Sequence, residues 1–451
     1  MSNTHHIVIL GNGIAGITCA RQLRKQSDSV KITVISGEST YFFSRTALMY
    51  VFMGHMKFEH TQPYENWFWE KNRIELLEKW VERVDFAEKE LHFQSGGKFS
   101  YDQLVLATGS KPNKFGWPGQ DLQGVQGLYS KQDLELMEQN TSEGVNHAVI
   151  VGGGLIGIEM AEMLAYKGIS VTFLVRETGF WRNVLPKEES ALVGRHVSEH
   201  HMNLRLETEL AEIIPDEFGR VKAVRTNKGE ELPCQFVGLT AGVTPNIDFL
   251  KETDLKVNRG ILVDSFFKTN IPDVFAIGDC AEFHEPPAVG RNKIEQVWYT
   301  GRMHGETLAY NLLHDPVPYQ PGVWFNSAKF LDIEYQTYGW VPSDWSEEAF
   351  NSFYWEHESG KVSIRLFIDH ENKVLGVNNF GFRLSHSFFD KAIKERWEVV
   401  EVIKRLEDAN FAPEFFAPYI QAIQSAFQKK SGIAIKLKKR TFIQKLLGAK
   451  L

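Results

Sequence analysis

Two glycine-rich turns hold the residues best suited to chemistry. Gly11-Asn12-Gly13-Ile14-Ala15-Gly16 follows the apolar run Ile7-Val8-Ile9-Leu10. Gly152-Gly153-Gly154-Leu155-Ile156-Gly157 follows Ala148-Val149-Ile150-Val151. Each has GxGxxG spacing between an apolar run and a stretch with helical periodicity. There the first glycine permits a tight turn, the second lets the backbone approach a pyrophosphate, and the third lets helix pack on strand. The pyrophosphate would rest on free N–H groups at a helix N-terminus, where the dipole favours negative charge. One such turn is weak evidence. Two in one chain point to two bound dinucleotides with electrons passing between them.

The elements that must position these turns alternate between strand and helix. Residues 7–10 and 31–35 read as parallel strands flanking a helix over 14–24, and 104–107 as a buried strand running into Thr108-Gly109-Ser110. A second unit has strands at 148–151 and 171–175 around a helix over 155–166, which Gly168 ends. Further strands at 237–242 and 274–277 end in glycine turns, the latter in Gly278-Asp279, and a helix covers 298–313. Such alternation argues for parallel, doubly wound sheets. Three prolines and a glycine in 314–322 mark a boundary. Beyond it, strands at 330–338, 353–357, 362–368 and 374–377 and amphipathic helices at 388–407 and 413–429 form an α+β unit. The expected fold class is α/β: two doubly wound, Rossmann-like dinucleotide-binding domains plus a C-terminal α+β domain.

Composition narrows the function classes. A chain of 451 residues predicts two to four domains. No apolar run reaches the ~18 residues of a membrane-spanning helix, and no basic, then apolar leader precedes the first strand, so the cytoplasm is the expected compartment. Cys19, Cys234 and Cys280 are far apart and form no CxxC or CxxxxC pair, which disfavours a disulfide framework, a thiolate metal site and a redox dithiol. The net charge of −7 conceals an asymmetry. Residues 429–451 hold eight of the 50 Lys and Arg and none of the 57 Asp and Glu, a basic tail on an acidic body. Phe442, Ile443, Leu446 and Leu447 fall on one helical face of it.

Five stretches now resemble one family in its own order: the first GxGxxG, Ala107-Thr108-Gly109-Ser110-Lys111-Pro112, the second GxGxxG continuing to Glu159, Gly242-Val243-Thr244-Pro245-Asn246, and Ala276-Ile277-Gly278-Asp279. The chain resembles the two-dinucleotide-binding-domain flavoprotein reductases of the pyridine nucleotide-disulfide oxidoreductase type, in particular the ferredoxin/rubredoxin reductase-like branch. The resemblance implies an FAD domain over 1–112 and 250–320, an NAD(P)H domain over 113–249, a C-terminal interface domain over 321–428, a tail over 429–451, and a monomer or homodimer. It implies that Gly11, Gly13, Ile14, Ala15, Gly16, Val81, Ala107, Thr108, Gly109, Gly242, Gly278 and Val297 line the cofactors. It gives the FAD ribitol to Asp279 and the adenosine ribose to Glu38, which could also be a solvated loop acid. Arg45 would lie against the cofactor or on the surface. Gly152, Gly154, Leu155, Ile156 and Gly157 would hold the nicotinamide dinucleotide. Glu159 and Trp298 would line the nicotinamide pocket, Trp298 being equally at home in a core.

The departures are informative. Where some ferredoxin-reductase relatives carry a lysine that pairs with the glutamate, this chain has Tyr50. Where peroxidase and oxidase relatives need a cysteine, it reads Phe42-Phe43-Ser44-Arg45-Thr46. NADH users of the family carry an acid where Val175 stands; Arg176 and Arg182 instead resemble the arginine spacing of glutathione reductases, which predicts NADPH over NADH. Without a thiol, electrons must leave to an external acceptor, first a small iron–sulfur protein such as ferredoxin or rubredoxin, second a quinone. The basic tail would steer an acidic carrier, lie on anionic lipid, or remain solvated. The rival readings are a membrane-surface quinone reductase and a non-catalytic FAD-binding interaction protein. No metal ligand set is indicated.

Overall fold

The computed structural model describes residues 5–411 and 419–435. They divide into two compact units, Met1–Leu174 with Thr208–Pro321, and Val175–Glu207 with Gly322–Leu451. Among the described residues no helix is long and apolar enough to cross a membrane.

The first unit holds a five-stranded sheet in the order Val274–Ala276, Gln103–Leu106, His6–Leu10, Lys31–Ser36, Ile74–Glu78. All its pairs are parallel, with Ile7 opposite Ile32 and Leu10 opposite Leu106. Helices must cover both faces of such a sheet, so its central strand is continuously apolar, and Ile7, Val8 and Ile9 are wholly buried. The helix Ile14–Gln26 buries small residues, Ala15, Gly16, Cys19 and Ala20. They allow the helix Trp298–Asn311 to approach so closely that a Cβ on Gly305 would lie 2.9 Å from the Cys19 amide nitrogen. A second parallel ladder runs Ser170–Val175, His147–Val151, Phe236–Leu239, Val125–Gln126, followed by the helix Leu155–Tyr166 on the expected turn. The α/β expectation holds in both ladders.

The second unit is an antiparallel sheet in the order Phe325–Phe330, Ile333–Gly339, Val374–Phe380, Ser363–Asp369, Phe350–Glu356. Its core of Ile364, Leu366, Phe389, Val402, Ile403 and Ile423 lies under three helices. Two expectations change here. The strand expected over 330–338 begins inside a hairpin whose two-residue turn is Leu331-Asp332, with Leu331 at φ 57°. The helix expected over 388–407 breaks into His386–Lys394 and Val399–Lys404. Arg396 adopts φ 52°, Trp397 accepts from the Val374 amide and the Val399 amide donates to Asn372, so between the two helices the chain returns to the turn that joins Ser363–Asp369 to Val374–Phe380. The helix expected over 413–429 is Ile420–Ser431; its start, like Phe442, Ile443, Leu446 and Leu447, lies outside the described residues.

Residues 175–207, which the sequence assigns to the 113–249 domain, group with the C-terminal segment. Burial chemistry explains this. The helix Lys187–Glu199 presents Glu189 to Arg365, both buried, with Nε donating to Oε1 over 2.8 Å. Arg365 Nη2 also reaches Glu188 at 2.7 Å, and the guanidinium lies over the Tyr354 ring. Burial pushes the Glu189 carboxyl up, against the pull of Arg365.

Candidate active site

The first glycine turn connects His6–Leu10 to Ile14–Gln26. Gly11 has φ 117°, and any side chain there would run into the Ala107 carbonyl. Gly13 caps the helix with no side-chain hydrogen bond, and space in front of it is open for 4 Å. The helix Lys131–Asn140, by contrast, is closed by a Ser130/Asp133 capping box. The first helix therefore keeps unspent N–H donors on an accessible face, as a diphosphate requires.

Asp279 follows the strand Val274–Ala276 in a short 3₁₀ turn. Its Oδ2 accepts from Ser110 Oγ at 3.1 Å and Tyr129 Oη at 3.2 Å, which leaves Oδ1 for a sugar hydroxyl. Burial pushes the carboxyl up, while those two donors and Arg45 pull it down. Ser110 Oγ accepts from Gln296 at 2.8 Å, and Tyr129 Oη accepts from the Ser110 amide at 3.0 Å. Gly278 is fixed from behind. Its amide donates to His304 Nδ1 at 3.1 Å, so the His304 proton lies on Nε2, facing Glu295 Oε2 at 3.3 Å. Arg291 and Tyr319 complete the buried cluster around Glu295, at 2.9 and 3.0 Å.

Glu38 and Arg45, expected separately at the cofactor, are brought together. The guanidinium grips both carboxylate oxygens at 2.7 Å and donates to the Tyr129 carbonyl at 2.6 Å, lying over the Tyr129 ring. The Lys131 amide also donates to Glu38 Oε1, at 2.9 Å. Burial opposes the Arg45 charge, but Glu38 outweighs it and raises the guanidinium further. Glu38 is thus a half-buried, organised acid. Val81 follows Trp80, whose indole lies against Gly37 so tightly that a Cβ there would overlap it.

At the second turn Gly152 repeats the geometry, with φ 116° and Thr240 O 2.7 Å from a virtual Cβ, and Gly154 caps its helix without a side-chain bond. Glu159 lies in the second turn of that helix. Burial, with the Glu162 carboxylate adding to it, pushes Glu159 up to about 7. Tyr50, in place of a lysine, stacks on His55, which meets Tyr166 edge to face. Val297 caps Trp298–Asn311, again with no side-chain bond. Trp298 is the first residue of that helix, 36% exposed and edge to face with Tyr299, so it is not a core tryptophan.

In the second unit, Arg176 pairs with its neighbour Glu177, at 3.1 Å. Arg182 is already engaged by the Ser343 carbonyl at 3.0 Å, the Leu185 carbonyl at 3.3 Å, and Asp344. All three cysteines are buried; burial pushes the Cys234 thiol up to about 12 and raises Cys19 and Cys280 as well. None is a thiolate nucleophile.

Sequence reasoning missed Tyr129, Ser110 as a partner of Asp279, Gln296, and the Arg291–Glu295–His304 cluster. Ser110 stood inside a quoted motif. Tyr129 lies 150 residues from Asp279 in the chain, and no spacing pattern links it or the residues between 291 and 304 to that carboxylate.

The model of the pyridine nucleotide-disulphide oxidoreductase family matches residues 5–305, and the chain belongs to that family. This is the class of FAD-dependent NAD(P)H oxidoreductases, and the open helix N-termini and the unspent Oδ1 of Asp279 fit both dinucleotides. Among curated relatives, the chain is 28% identical over 397 residues to the assimilatory nitrate reductase electron transfer subunit of Bacillus subtilis, covering 86% of this chain and 49% of that protein. It is 29% identical over 320 residues to the ferredoxin–NAD(+) reductase component of the biphenyl dioxygenase system of Paraburkholderia xenovorans, covering 69% and 76%. It shares its fold with the NAD-dependent persulfide reductase from A. fulgidus, at a TM-score of 0.81 and 22% identity over 96% of this chain and 86% of that one.

Proposed function

We propose that this chain carries electrons from NADPH through FAD to a small iron–sulfur protein. Bound FAD would take two electrons from the nicotinamide and release them singly. The residues' share is to bind and orient. The first turn would hold the FAD diphosphate, Asp279 the ribitol, and the Arg45–Glu38 pair the adenosine side. The second turn would hold the coenzyme diphosphate, with Glu159 and Trp298 at the nicotinamide. The domains by cofactor are 1–112 with 250–320 for FAD and 113–249 for NAD(P)H, with 321–428 as the interface domain.

One observation carries the choice of acceptor: all three thiols are buried and held protonated, so no cysteine relay serves the flavin. The biphenyl-system relative, named as a ferredoxin reductase, supports the same reading. Residues 429–451 are the proposed docking segment for an acidic carrier. The test is cytochrome c reduction by the FAD-loaded protein with NADPH, with and without a ferredoxin or a rubredoxin. A rate that neither carrier raises overturns the acceptor.

The coenzyme preference rests on Val175 and on Arg176, whose guanidinium is largely exposed and, among the described residues, pairs with Glu177. Arg182 is tied by Ser343, Leu185 and Asp344 and would serve by position rather than as a free cation. Arg176→Ala should lower kcat/KM for NADPH about tenfold and leave NADH nearly unchanged. Equal loss with both coenzymes refutes a phosphate role.

A further inference from the structure

The sequence signals no metal site, yet the second unit gathers three ligand atoms of suitable kind. His196 and His200 stand four residues apart on and just after the helix Lys187–Glu199, so their rings share one face and lie 4.4 Å apart between centroids. Asp332 enters from the Leu331-Asp332 hairpin turn. His196 Nε2 is hydrogen-bonded to Asp332 Oδ1, and His200 Nε2 is 3.3 Å from the same oxygen. All three ligand atoms lie within 4.8 Å of one another.

We propose that His196, His200 and Asp332 bind one divalent zinc ion. Two details of the ring nitrogens favour this over simple hydrogen bonding. His200 Nδ1 lies 3.0 Å from the His196 carbonyl, which can only accept, so the His200 proton is on Nδ1. Its Nε2 faces a carboxylate oxygen and needs a cation between them, a second ring proton or a metal ion, and in the neutral ring it is the nitrogen free to bind a metal. His196 is 1% exposed, and among the described residues its Nδ1 has no hydrogen-bond partner; Glu199 Oε2 lies 3.5 Å away. With Nε2 on a metal, Nδ1–H would turn to Glu199. Both imidazoles would then be held from behind by an acceptor, Glu199 for one and a backbone carbonyl for the other, as metal-binding histidines characteristically are.

The dimensions also suit zinc. Ligands at about 2.0–2.1 Å in a tetrahedron stand about 3.3 Å apart, the spacing already present between His200 and Asp332. His196 Nε2 must draw back from its hydrogen bond to Asp332 to reach the same spacing. Binding moves the His196 proton from Nε2, where it faces Asp332, to Nδ1 with no net release, and the fourth position goes to water. Two imidazoles and one carboxylate suit zinc better than magnesium or calcium. Lys361 is 3.6 Å from Asp332 Oδ2 and leaves Oδ1 to the imidazoles. The ion would staple the 175–207 segment to the sheet of the same unit, and no step of electron transfer depends on it.

The test uses the full-length, FAD-loaded protein, treated with a chelator, dialysed, and titrated with zinc chloride against a chromophoric competitor. The expected result is one zinc per chain, a rise in melting temperature with added zinc, and an X-ray absorption shell of nitrogen and oxygen at about 2.0–2.1 Å without sulfur. His200→Ala and Asp332→Asn, both at partly exposed positions, should each weaken binding by more than about 100-fold, beyond what loss of an outer partner costs. His196→Ala is the third variant, and the other two decide if it fails to fold. No zinc uptake by the wild type, or uptake that His200→Ala and Asp332→Asn leave unchanged, overturns the proposal; the latter would place the ion elsewhere, such as on His5 and His6.

Discussion

Replacing Glu159 with Gln should change how the protein responds to pH. A carboxyl moved from 4.5 to about 7 has an ionised form about 3 kcal/mol more costly in the folded state than in the unfolded chain, at about 1.4 kcal/mol per tenfold change in its ionisation constant. Water reaches part of this side chain, which reduces the figure to about 1–2 kcal/mol. The sign follows from proton binding. Between pH 4.5 and 7 the folded protein holds a proton on Glu159 that the unfolded chain has lost, so this group's stabilisation is complete at low pH and disappears as pH rises through 7. Glutamine cannot ionise and removes that slope. Between pH 5 and pH 8.5 the wild type should lose about 2–4 °C of melting temperature relative to Glu159→Gln. If Glu159 also lines the coenzyme pocket, kcat/KM for NAD(P)H should carry a limb near pH 7 that the variant lacks. Melting temperatures of the two proteins that run parallel from pH 5 to 8.5 would refute the burial argument. A parallel kinetic profile with divergent melting would refute only the pocket assignment.

Asp279→Ala should weaken FAD retention about 10- to 100-fold, the loss of a charge-assisted hydrogen bond of about 1.5–3 kcal/mol; flavin fluorescence released on dilution reads it, and unaltered retention removes Asp279 from the site. A variant with Cys19, Cys234 and Cys280 all changed to Ala should keep dye-reductase activity within a few-fold, whereas loss of activity with FAD still bound would bring back a thiol relay. Arg365→Met should destabilise the second unit by about 3–5 kcal/mol, because Glu189 is left buried without its partner. Adding Glu189→Leu should restore most of that loss in urea unfolding, and a double variant no better than the single one would show that the pair is not the cause.

The parts of the fold that were legible in the sequence are those in which short-range pattern and tertiary demand coincide. Ile7 to Leu10 and Ala148 to Val151 are strands buried on both faces, so apolarity alone marks them. The glycines at 11 and 152 are forced by backbone approach to the next strand's carbonyl, so their spacing is itself the signal. The helix break near Arg396 was not legible. Residues 388–407 are amphipathic throughout, and the interruption is imposed by hydrogen bonds to the turn between the strands Ser363–Asp369 and Val374–Phe380.

The same distinction governs the site. Asp279 could be found because it lies beside a glycine at a strand end, but what makes it serviceable is non-local: Ser110, Tyr129 and Arg45 come from 169, 150 and 234 residues away in the chain. Arg45 and Glu38 show the consequence most clearly. Read singly, each was a surface charge competing with a ligand role. Together they form a half-buried bidentate pair stacked on Tyr129, and a guanidinium so held loses little entropy on meeting a further anion. The lysine that relatives place near the flavin edge is absent here, and Tyr50 stands in its place without a charge for Glu159 to meet. Burial and the Glu162 carboxylate raise Glu159 to about 7, and if Glu159 lines the coenzyme pocket, as we propose, a tyrosine at position 50 offers that carboxylate no compensating charge.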